Sequence, residues 1–161
     1  MDFFGSGEDV PFNAINQIRK NPKLYHPGHA VDYLWLTSLE CQTLTAVGVE
    51  AYSVQQSDEN ICISAATFNT GEDLSVGEII NCIVPISGWG AALFRAEVMV
   101  AAFAEYVEYH SRGRAFTIDE NDRVVELASS KSGFGFDVEM RDNVEILLFS
   151  KRVRTLVGYS E

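Results

Sequence analysis

The chain has 161 residues, 47% of them hydrophobic and 22% charged, which is the make-up of one globular domain of ordinary size. Its 23 acidic residues outnumber 12 basic ones, for a net charge of −11. That balance argues against a nucleic-acid binder, which needs Lys and Arg to neutralise phosphates, and suits a merely solvated surface or, alternatively, docking onto a basic protein.

No apolar run approaches the roughly 18 residues of a membrane span. The start, Met1 to Asp9, is acidic and lacks the basic region of a secretory signal. The expected compartment is therefore the cytoplasm, with no membrane partner. Cys41, Cys62 and Cys82 lie among apolar residues with no C-x-x-C spacing, so three buried free thiols are expected.

Residues 1–10 read as a flexible lead-in to a single domain over 11–161. Phe12, Ile15 and Ile18 recur at helical spacing over 11–21, where Pro22 closes the helix. Residues 25–28 form a turn by composition. A longer amphipathic helix is predicted over 30–47, with Val31, Leu34, Trp35, Leu39 and Val47 facing the core and Gly48 as its C-cap. The period then drops to two, giving strands over 49–55 and 61–66 around the polar turn 56–60.

After a loop over 68–73, Ser75 and Glu78 form a capping box for a helix reaching about residue 83. A short connection over 85–90 leads to the longest predicted helix, 93–110, with Leu93, Ala96, Val100, Phe103 and Val107 along one face. Glu97, Glu105 and Glu108 then form its solvent face. Strands over 114–118 and 124–128 flank the acidic turn 119–122, and strands over 134–140 and 144–149 flank 141–143. The expected architecture is α/β: a two-layer sandwich with three main helices on one face of a mixed, mostly antiparallel sheet.

The segment from Ala14 to Tyr25, A-I-N-Q-I-R-K-N-P-K-L-Y, is followed by Gly28. It resembles the A-x-x-x-x-R-K-R-P-G-M-Y-I-G opening of the GHKL (Bergerat-fold) ATPases, the gyrase B subunit among them. The resemblance continues in order: the helix from Tyr33, the hairpin over 50–66, S-V-G-E-I-I-N-C-I-V from Ser75, and V-A-A-F-A-E-Y-V-E-Y from Val100. It covers about 135 residues and implies a Bergerat-type sandwich.

The same alignment implies lost catalysis. The family's general base and Mg²⁺ ligand on the long helix fall on Thr37 and Cys41; the first has no basic group, the second is a poor ligand for a hard cation. Sliding by one brings Glu40 near the metal position but leaves Ser38 or Leu36 at the base. The Asp that anchors adenine falls on Ala65 or Ala66, and Gly71 alone remains of the glycines that follow. The phosphate-cradling lid is reduced to Gly88, Trp89 and Gly90. The N-terminal arm through which family members dimerise is effectively absent from the ten residues before the first helix.

The resemblance thus implies a protein that hydrolyses no ATP, needs no cofactor and acts as a protein-interaction or regulatory module. Trp89 is either an exposed anchor for the partner or a plug for the vacated pocket. The alternative is a small-molecule or nucleotide site remodelled to bind without hydrolysis.

Other groupings carry less. His26 and His29 sit three apart in a turn without an evident third ligand, and His110 is distant in sequence. The 119–122 turn lacks the glycine and distal Glu of a calcium loop. Ser87 has no Asp–His partnership nearby. The glycines at 133 and 135 precede a strand rather than the helix of a phosphate loop.

Overall fold

A computed structural model describes residues 14–22, 31–46, 48–66, 96–111, 114–128 and 144–154. The expectations for the lead-in, the 25–28 turn, the 75–83 helix, the 85–90 connection and the 134–140 strand lie outside these residues. Within them the elements run α1 (Ala14–Lys20), α2 (Tyr33–Ala46), β1 (Tyr52–Gln56), β2 (Asn60–Ala66), α3 (Ala96–Phe103), β3 (Val107–Ser111), β4 (Arg114–Ile118), β5 (Val124–Glu126) and β6 (Val144–Ser150).

The strands form one sheet in the order β1-β2-β6-β3-β4-β5. Every neighbouring pair among the described strands is antiparallel, where a mixed but mostly antiparallel sheet is expected. The register sorts side chains by face, because successive residues of a strand point to opposite sides. Ile63, Leu147 and Tyr109 lie side by side across β2, β6 and β3, as do Ile61, Phe149 and Val107. This face joins Ile15 and Ile18 of α1, Leu36 and Leu44 of α2, and Val98, Val100 and Phe103 of α3 in one apolar core. Trp35 packs edge-on against Phe103, with ring centroids 6.1 Å apart.

Local chemistry explains the helix ends. Asp32 caps α2: its carboxylate accepts the Trp35 N–H at 2.8 Å and its carbonyl accepts the Leu36 N–H at 3.2 Å. The other end closes as a Schellman motif, with Gly48 N–H on Thr45 C=O and Val49 N–H on Leu44 C=O. Gly48 takes φ +90°, a left-handed conformation natural to glycine.

Two predicted helix readings change. The 93–110 segment is helical only as far as Phe103 among the described residues, and 107–111 is strand β3. Strand formation wins because Val107–Ser111 pairs with both β4 and β6, and the β-branched and aromatic residues of Y-V-E-Y-H suit a pleated, buried surface. The end of α3 is held by the segment after β6, where the Arg154 N–H donates to Phe103 C=O and the Glu105 N–H to Arg152 C=O. All eight residues of α3 are buried, Glu97 among them. Glu108 on β3 is buried too, so only Glu105 of the three acids expected in water is exposed.

On α2 the buried residues are Leu36, Glu40, Thr43 and Leu44, whereas Leu34 is 62% exposed. The core-facing stripe is therefore turned from the expected one: Val31 is buried, and Trp35 and Leu39 pack at its margin.

Candidate functional site

Between α2, α3 and the sheet lies a space that is acidic rather than apolar. Glu40 from α2, Glu97 from α3 and Glu145 from β6 line it together with Tyr109 of β3, and Ala65 closes part of the wall. These four polar side chains are 3%, 1%, 9% and 3% exposed respectively. The cleft holds about 220 Å³ of unfilled space including its open mouth; its enclosed part has room for about one water molecule. Carboxyl groups gathered out of water are costly unless protons or donors are shared among them, which makes such a cluster a candidate for cation or proton binding. Among the described residues no three His, Cys, Asp or Glu side chains are placed to hold a metal ion.

Of the positions named from sequence, Ala65 lines this space. Thr37 and Cys41 do not. The Thr37 hydroxyl donates to Tyr33 C=O at 2.7 Å, back onto its own helix, and Cys41 is half-buried rather than buried. The α2 residue that does face the space is Glu40, one position from Cys41. Its helical spacing from Leu36 and Leu44 was the available signal, masked by its charge. Gly71, Gly88, Trp89 and Gly90 lie outside the described residues, as do Cys82, Ser87, His26, His29 and the glycines at 133 and 135.

The opposite face of the sheet carries a second polar group. His110 Nε2 lies 3.1 Å from Glu108 Oε1, and both side chains are 1% exposed. Beside them, burial and then the Glu108 charge raise the Tyr106 phenol above its usual range. Cys62, Ile146 and Leu148 pack on this same face, and burial pushes the Cys62 thiol up to about 11. So little thiolate makes Cys62 a structural residue.

The acidic turn is equally structural. The Asp119 carboxylate accepts the N–H groups of Asn121 and Arg123 at 2.8 and 3.0 Å. Asp122, at φ +60°, pairs with Arg19 and accepts the Asn16 amide at 3.0 Å. Asp119 is thus engaged in closing the turn and Asp122 in fastening the hairpin to α1, rather than displayed for a cation.

The two sheet edges differ. β5 has three residues and is flanked by a two-pronged pair, Arg114 to Glu126 at 2.7 and 2.9 Å. Such short, charged edges resist further pairing. β1 has five residues, Y-S-V-Q-Q, all exposed, with no charge and no proline. Its register with β2 runs unbroken from Tyr52↔Ala65 to Gln56↔Ile61. Among the described residues no strand lies beyond it.

No helix among the described residues is long and apolar enough to cross a membrane. Compared with models of known protein families, with curated proteins and with solved structures, the chain finds no match.

Proposed function

We propose that the chain is a GHKL-like, Bergerat-type domain that has given up ATP hydrolysis and works as a protein-interaction or regulatory module. The supporting observation is the acid-lined space beneath α2. Among the described residues three glutamates and no Lys or Arg line it, so a triphosphate brought there meets acidic side chains and no cationic donor to match its phosphates. Small-molecule pockets run from roughly 300 to 1,000 Å³, and this cleft falls below that range. Glu40 stands where the shifted alignment puts the metal ligand, but the residue one turn earlier is Leu36, fully buried and without a proton-accepting group. The reaction would lack its base. With Mg²⁺ and millimolar ATP, phosphate release stays at the buffer rate; release that saturates with ATP would overturn the proposal.

A second reading, a remodelled site that keeps a small ligand, draws on the same glutamates. Whatever enters is cationic or donates hydrogen bonds, and has few heavy atoms. A Tm raised by millimolar small amines in the parent chain, and not in Glu40→Gln, is the result that favours it.

A further inference from the structure

We infer that β1 is a docking edge for an extended, basic segment of another protein, which adds to the sheet as a further strand beside β1. This deepens the interaction reading and rests on it.

Hydrogen bonding in an antiparallel pair alternates between neighbours. The Ser57 N–H donates to Asn60 C=O at 2.9 Å, closing the hairpin. Counting back from that bonded pair, Ser53 and Gln55 direct their backbone groups at β2, opposite Ser64 and Cys62. Tyr52, Val54 and Gln56 therefore direct theirs outward, three N–H and three C=O groups along an edge that no strand among the described residues covers. Edges are commonly blunted by a charge, a proline, a bulge or brevity. β5 is both short and charged; β1 has none of these protections. Tyr52 and Val54 also remain 36% and 44% exposed, ready to pack against a side chain from an added strand.

Charge selects the occupant. Glu50 precedes β1, Asp58 and Glu59 follow it, and all three are exposed. None of them forms an ion pair among the described residues. An antiparallel pairing of two β1 strands centred on Val54 would bring the Glu50 end of each copy beside the Asp58–Glu59 end of the other. Like charges so placed destabilise a sheet, and the net charge of −11 on each copy adds to the repulsion. A segment neutral in its middle, with Lys or Arg at both ends, meets the edge with its backbone and the acids with its charges. This is strand addition, in which the main chain supplies affinity and flanking side chains supply choice.

The probe is a nine-residue peptide of alternating threonine and valine with lysine at each end, titrated into the full chain and followed by backbone amide NMR. Saturable binding is expected, with the largest shifts at Tyr52, Val54 and Gln56. Val54→Pro removes an outward N–H without touching a bond to β2, a placement proline tolerates on an edge. It should weaken binding by about tenfold or more, and the pair Glu50→Lys and Asp58→Lys should do the same.

Failure to saturate at about 1 mM peptide, or equal affinity in Val54→Pro, would overturn the inference. Should Val54→Pro fail to fold, a peptide N-methylated at alternate residues facing β1 decides the same question: equal binding overturns the docking edge, lost binding supports it. Concentration-dependent dimerisation abolished by Val54→Pro would also overturn it, making a second copy the occupant. An ATP titration separates the two levels. A silent peptide with no ATP binding sinks this edge alone, whereas tight ATP binding sinks the interaction reading beneath it.

Discussion

Arg19 holds three partners at once. Its guanidinium donates to Ala101 C=O and Ala102 C=O at 3.0 and 2.9 Å and pairs with Asp122. It thereby occupies carbonyls of the last turn of α3, which no helical N–H can reach, and ties that turn to α1 and to the β4–β5 hairpin. Arg19 is thus a structural residue. Lysine keeps the charge but loses the planar fork, so Arg19→Lys should lower unfolding free energy by about 2 kcal/mol; urea denaturation with an unchanged slope would check it.

Cys62 gives a pH signature. Its folded-state pKa is raised from 9.0 to about 11 by burial. Below 9 the thiol is protonated in both states; between 9 and 11 the unfolded chain loses that proton first and holds fewer. Stability therefore falls as pH rises through this window. Denaturation midpoints measured at pH 8.5 and 10.5 should show the fall, and Cys62→Ala should make it shallower.

At the scale of elements, α2 is the sharpest case of partial legibility. Its end at Gly48 and its helical character were legible in local chemistry, whereas its start lies at Tyr33, behind the Asp32 cap, rather than at the expected residue 30. Its orientation was not legible, because apolar residues lie around the whole helix while Glu40 and Thr43 sit on the buried stripe. The prediction is a contrast: Leu36→Ala should cost about 2–5 kcal/mol and Leu34→Ala less than about 0.5 kcal/mol, measured by thermal or chemical unfolding. The reverse order would restore the stripe expected from spacing. At the C-cap, Gly48→Ala meets no atom within 4 Å but must keep φ +90°, so it should cost about 1 kcal/mol through backbone strain alone.

The boundary between α3 and β3 was hidden for a related reason. Val100, Phe103 and Val107 fit a helical face, while Val107 and Tyr109 equally fit one face of a strand. The choice was made by pairing with β6, whose partner residues lie thirty-four or more positions away in sequence, and such partners leave no local trace. The hairpin of β1 and β2, by contrast, announced itself through the polar turn between two runs of period two.

Across the described residues, every element except strand β3 stands where the sequence places one of its kind, yet the acid-lined space could not be read. It assembles Glu40, Glu97, Tyr109 and Glu145 from four separate elements, and three of those residues looked ordinary or solvent-facing in the chain. The same assembly shapes the functional account. On the proposed reading, the chain's net negative charge, the acid-lined cleft and, among the described residues, the uncharged β1 edge favour a basic partner over a polyphosphate.

That claim is tested most directly by calorimetric titration of the full chain with ATP plus Mg²⁺, and with ADP. The account predicts no binding heat at millimolar nucleotide. Micromolar, saturable binding would contradict it, because the pocket would then have been rebuilt rather than lost.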